Sequence, residues 1–182
     1  MFAIENHIAR PLLRADQFGG SQPWLATGNA RIGLVIGDSF FEFRNGDLEL
    51  VWTAKPNQPS HDPRFAETRP VSARALSNAW VIAHSKGVDI VPDGGKATVA
   101  STESNVEILA MDASTALLAG DHGLVEVSAA GTRTVLSGSS VEAVRPLRSA
   151  ENPTARSGLL IQTDSVLAAY EDGDVESLAD LD

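Results

Sequence analysis

Between Ala79 and Leu136 one alternation of apolar and polar positions is written twice. Ala79 to Val99 reads AWVIAHSKGVDIVPDGGKATV, and Ala116 to Val135 reads ALLAGDHGLVEVSAAGTRTV, about 36 residues further on. Each copy has a short apolar run ending at Ala83 or Ala119, then a polar turn closed by Gly87 or Gly123. A second apolar run follows, Val88 to Val91 or Leu124 to Val127, then a Gly-containing turn and a third, mixed run. The matching stretches Val106-Glu107-Ile108-Leu109 and Val141-Glu142-Ala143-Val144 come after the copies. Period-2 alternation, β-branched residues and Gly, Asn or Asp at the joints predict strands rather than helices.

The same unit extends to both ends. In Arg31 to Trp52, Ile32, Leu34 and Ile36 alternate with smaller residues before Asp38-Ser39 turns the chain into Phe40-Phe41-Glu42-Phe43. Asn45-Gly46 is a strong hairpin signal, because both central positions of a type I′ turn need positive φ. The pattern returns as Asp164-Ser165 and Asp172-Gly173-Asp174-Val175-Glu176, against Asn45-Gly46-Asp47-Leu48-Glu49. Aligned, the copies predict four units, at about 23–55, 70–100, 105–137 and 140–182, each of four short strands. The expected inner strands are Trp24 to Thr27, Val71 to Leu76, Val106 to Met111 and Val141 to Pro146; the outer ones are Leu48 to Trp52, Lys96 to Val99, Thr132 to Leu136 and Val175 to Leu178. Residues 1–22 form a separate N-terminal segment. Phe2 to Leu13 fits either a helical turn or an extended edge, and Phe2 to Ile8 is the candidate latch strand.

Four-stranded units near forty residues, with Trp or Leu opening the second strand and a turn ending in Gly, resemble the blades of a β-propeller. WVIAHSKGVDIV and LLAGDHGLVEV are similar to the W-V-x-T-x-x-G-L pattern of streptogramin-lyase-like proteins and two-component-regulator-type blades. The resemblance spans Trp24 to Leu178 and implies an all-β, β-propeller-like fold of about four four-stranded antiparallel blades. Propellers have four to eight blades around a channel, so the four units either close a small ring or belong to a larger one. Terminal blades with unpaired edges invite association, and the chain is expected to be part of a longer propeller or to self-associate.

Composition narrows the function classes. The 182 residues carry a net charge of −10, and Glu151 to Asp182 alone holds a balance of −7. Such a surface repels phosphate backbones, so nucleic acid is not an expected partner; it serves solubility or docks a basic partner. With no cysteine there is neither a disulfide framework nor a thiolate metal site. No signal peptide or membrane-length apolar run is visible, and a cytoplasmic location is expected.

Candidate chemistry is sparse. None of His7, His61, His84 and His122 sits in a metal-ligand spacing. His84 and His122 lie in corresponding turns, where polar residues are ordinary, and Asp38, Asp121 and Asp164 are expected to stabilise such turns. No nucleophile elbow or phosphate-binding loop is present, and no cofactor or metal is expected. Two insertions leave the repeat, Thr53 to Thr68 and Ser149 to Arg156. The first carries His61, Asp62, Arg64 and Glu67, which with the adjoining Arg69 are the candidate ligand or partner contacts on a rim loop. The aromatics Trp24, Trp52, Trp80, Phe40, Phe41 and Phe43 are expected to pack between sheets.

The reading these features favour is a non-enzymatic scaffold that binds a protein or ligand through rim loops. The alternative is a lyase- or lactonase-like enzyme with a central-channel site, for which the inner strands offer Arg74, Glu107, Asp112, Glu142 and Arg145, with Glu107 and Glu142 equivalent by repeat.

Overall fold

The computed structural model of the protein describes residues 2–5, 8–11, 23–54, 70–148, 156–171 and 173–181. All regular structure there is β. Strands β1 (Phe2–Glu5) and β2 (Ile8–Pro11) pair antiparallel in a sheet of their own. The described part of the N-terminal stretch is thus extended rather than helical, and neither strand adds to a larger sheet. Among the described residues no helix is long and apolar enough to cross a membrane.

Four four-stranded antiparallel sheets follow in chain order. The first holds β3 (Trp24–Gly28), β4 (Arg31–Ile36), β5 (Ser39–Arg44) and β6 (Asp47–Thr53). The second holds β7 (Pro70–Ala75), β8 (Ala79–His84), β9 (Gly87–Pro92) and β10 (Thr98–Ser101). In the third are β11 (Glu107–Ala110), β12 (Thr115–Gly120), β13 (Gly123–Ser128) and β14 (Gly131–Ser137); in the fourth, β15 (Val141–Arg148), β16 (Arg156–Thr163), β17 (Val166–Glu171) and β18 (Asp174–Asp180). Within each, sequence neighbours are spatial neighbours.

Turn chemistry explains the reversals. Asn45 and Gly46 both have positive φ, 51° and 89°, as a two-residue hairpin with the right twist requires. At Gly87 and Gly123, φ is 142° and 132°. A Cβ at either would run into the fourth strand of its own sheet, at the carbonyl of Ser101 or of Leu136. This is why both copies close the turn with glycine.

A bulge recurs at one place in each four-stranded sheet, between the third and fourth strands, where the register shifts at Phe40/Phe41, Val99/Ser101, Leu124/Val125 and Leu167/Ala168. The extra residue on the outer strand is Val51, Ala100, Val135 or Leu178. A bulge bends its strand and raises the local twist.

Consecutive sheets pack face on face through three apolar clusters. Trp80, Ile82 and Val91 of the second sheet meet Val35, Phe40 and Trp52 of the first. Val81, Ala83 and Val88 of the second meet Ala116, Leu118 and Val127 of the third. Leu117 and Leu124 of the third meet Leu159, Ile161 and Tyr170 of the fourth. Phe40 and Trp80 lie edge to face, with centroids 4.7 Å apart. Gly33 gives them room, since a Cβ there would strike the Phe40 ring. Of the aromatics expected between sheets, Phe40, Trp52 and Trp80 are buried there and Trp24 packs beside them. Phe41 and Phe43 alternate onto the opposite face of the first sheet and are half-buried.

Candidate functional site

Antiparallel order puts the β4–β5, β8–β9 and β12–β13 turns at one end of the stack. The long insertion leaves from the same end: Thr53 lies opposite Ser39, Ala54 N–H donates to the Asp38 carbonyl at 3.0 Å, and Pro70 lies opposite His84. The sequence-derived candidates on that insertion, His61, Asp62, Arg64, Glu67 and Arg69, lie outside the described residues.

Two clefts open at this rim, on either side of Gly120. The first, of about 190 Å³, lies between the third and fourth sheets and brings together Asn105, Glu107, Asp121 and Glu142. Glu107 and Glu142 do meet, but not as equivalents. Glu107 pairs with Ala119, whereas Glu142 is the extra residue of a bulge between Val141 and Ala143; its Oε2 accepts a hydrogen bond from Gln162 Nε2 at 2.9 Å. That register slip is invisible in the aligned sequence. Of the other inner-strand polar residues, Arg74, Asp112 and Arg145 are all exposed and none lines this cleft.

The second cleft, of about 210 Å³, is walled by Glu103, His122, Leu118, Val125, Leu136 and Ser137. The Glu103 carboxylate fills the space a Cβ on Gly120 would take, and its buried Oε2 accepts no hydrogen bond. Its backbone N–H donates to Ser101 Oγ at 3.1 Å. Glu103 and Asn105 are not among the residues that the sequence pattern singles out. The signal was the exchange between copies of His84, the last residue of β8, for Gly120, the last of β12, which clears space for an incoming side chain. Carboxylates on both walls favour basic groups at this rim. Among the described residues no group of three or more carboxylates and imidazoles is arranged to hold a metal ion.

The remaining polar clusters tie sheets together. Arg31 donates bidentately to Glu42, at 2.7 and 2.9 Å, and also to Asp93 and to the carbonyls of Leu76 and Ala79. Arg44 bonds the same two carboxylates. Burial pushes the Glu42 carboxyl up, but hydrogen bonding with Arg31, the facing Trp80 indole and the charges of Arg31 and Arg44 together hold it below the ordinary range. The Trp80 Nε1 nevertheless lacks full hydrogen-bond geometry.

Nearer the rim, Trp52 Nε1 donates to Asp89 Oδ2 at 2.8 Å, and the indole stacks on His84 with centroids 5.4 Å apart. His84 Nδ1 accepts from Lys86 N–H at 3.3 Å. His84 is buried at the end of β8, while His122 stands exposed in its turn, so the two histidines do not form one repeated position. Of the turn aspartates, Asp38 and Asp164 accept from the neighbouring Ser39 and Ser165 hydroxyls at 3.1 and 3.3 Å; backbone N–H groups are bonded instead by Asp112, whose Oδ1 accepts from Ser114 N–H at 2.6 Å and Thr115 N–H at 2.8 Å. Burial works against ionisation there, and these hydrogen bonds outweigh it, leaving the carboxyl below its ordinary range.

No family model matches the chain, and no curated protein does. Among solved structures it is similar to PorZ, an essential bacterial surface component of the type-IX secretion system of Porphyromonas gingivalis, with a TM-score of 0.54 and 16% identity. The match covers 85% of this chain and 22% of PorZ, and the likeness is one of fold.

Proposed function

We propose that the chain is a run of β-propeller-like blades acting as a non-enzymatic scaffold, which binds a basic protein segment at the rim where the long insertion departs. The observation carrying this reading is the convergence there of Glu103, Glu107, Asp121 and Glu142 on two adjoining clefts. Repeat blades expose their connections at the rims while burying their faces, and such rims are common binding surfaces. The likeness to a surface component of a secretion system supports the scaffold part of the reading by fold alone.

The test is titration with a fluorescent peptide rich in lysine and arginine. Binding should weaken with salt, and further in a Glu107→Gln/Glu142→Gln variant and on deletion of His61 to Phe65. That deletion should cost little stability, because closure entropy changes slowly with loop length. Absence of peptide binding, or binding indifferent to both changes, overturns the proposal.

A lyase- or lactonase-like site is the second reading, favoured by the meeting of Glu107, Asp121 and Glu142 in one cleft. Turnover of a lactone by the purified protein, lost in Glu107→Gln, would support it.

A further inference from the structure

The four-stranded sheets have two distinct faces, and among the described residues every interface between them joins the same two kinds. Each sheet offers the sheet after it a face carrying the bulge residue, and meets the sheet before it with the face opposite. Val51, Ala100 and Val135 are the bulge residues of the first three sheets, and each packs into the cluster shared with the next sheet. Leu178 holds the same position in the fourth sheet and is 52% exposed. Leu167, equivalent to the fully buried Phe40, Val88 and Leu124, is only half-buried.

At the other end of the stack the mirror situation holds. Ile32 corresponds by register to Trp80, Ala116 and Leu159, all buried against the preceding sheet, yet it is 45% exposed. Leu25 corresponds to Ala73, Ile108 and Val144, all packed into inter-sheet clusters, yet it is 56% exposed. Leu34, beside them, is already covered, so the free part of this face is the portion holding Leu25 and Ile32. Among the described residues no cluster joins the first sheet to the fourth.

We propose that the bulge-bearing face of the fourth sheet in one copy of this chain packs on the Leu25 and Ile32 face of the first sheet in a second copy. The contact would continue the three interfaces already present within each chain, uniting the same two kinds of face. It is heterologous, so two copies can close a ring through two identical contacts, or successive copies can extend. The association buries the apolar positions that the internal sheets bury and leaves the rim clefts free, so it is independent of the peptide-binding reading.

The sequence has no cysteine, which makes cross-linking direct. A Leu25→Cys variant mixed with a Leu178→Cys variant should give a disulfide-linked heterodimer under mild oxidation. Leu178→Asp and Ile32→Asp should each weaken self-association about tenfold or more in analytical ultracentrifugation, with circular dichroism unchanged. Discrete dimers and longer series both support the contact. A monomer throughout the accessible concentration range overturns it. So does self-association indifferent to both Asp variants, or cross-linking only between like positions.

Discussion

The hydroxyl of Tyr170 in the fourth sheet donates to Oε2 of Glu126 in the third at 2.5 Å, and Arg133 bonds the same oxygen at 2.8 Å. Burial, then the neighbouring carboxylate, pushes the phenol up to about 12. Hydrogen bonds from Arg133 and Tyr170 hold Glu126 below its ordinary range. Tyr170 is the only tyrosine in the sequence, so its ionisation can be followed by ultraviolet absorbance without deconvolution. The native protein should titrate near 12 and the denatured protein near the ordinary 10.0. Since folding favours the protonated phenol, this contribution to stability is intact below 10.0 and is lost as pH rises towards 12. Tyr170→Phe should remove that alkaline dependence.

Trp80 is fully buried between the first two sheets against Phe40, with the Arg31 guanidinium 5.1 Å from its ring centroid. Trp80→Ala should cost about 3–5 kcal/mol in urea unfolding, through lost burial and the cavity left behind. A cost below about 1 kcal/mol would mean that the sheets do not pack as described.

Arg31→Met should leave the buried Glu42 carboxylate with Arg44 alone and destabilise by about 3 kcal/mol. The paired replacement Arg31→Met/Glu42→Leu should recover much of that loss, because it leaves no buried charge unmatched. Glu42 is held below the ordinary glutamate value of 4.5, so its contribution is present above that pH and is lost as pH falls through the lowered value. Thermal midpoints in acid should therefore drop less steeply in the paired variant than in the parent.

The β3–β4 turn places Asn29 and Ala30 at φ of 48° and 58°. Alanine in this left-handed region is strained, whereas glycine adopts it freely, so Ala30→Gly should stabilise the protein by about 0.5–1 kcal/mol. Asn29→Ala should act oppositely, because Asn29 Nδ2 donates to the Ala75 carbonyl at 2.8 Å and the Ala113 carbonyl at 3.2 Å, joining the turn to the next two sheets. Chemical denaturation of both variants checks the pair.

Strand positions were legible because the repeat presents the same alternation four times. Asn45-Gly46 and the closing glycines Gly87 and Gly123 announced their turns by residue type. The Asn29-Ala30 turn did not, since alanine carries no signal for positive φ. The bulges were equally hidden: an extra residue on an outer strand looks in sequence like one more strand residue, and only cross-strand pairing shows that Val51 or Ala100 lies opposite nothing. The same blindness made Glu142 look equivalent to Glu107. Of the site, the inner-strand glutamates were visible; Glu103 was not, because its importance depends on the missing side chain of Gly120 across a sheet boundary.

All six residues of β8 are buried, a consequence of lying in a sheet covered on both faces, while β4 and β16, the second strands of the end sheets, have exposed positions. Cooperativity in such a stack passes from neighbour to neighbour, so opening an end sheet sacrifices one interface and opening an inner sheet sacrifices two. Amide hydrogen exchange should consequently be graded along the chain, slowest at Trp80 to Ala83 and faster toward both ends. The second sheet then acts as the kinetic anchor from which the molecule frays last.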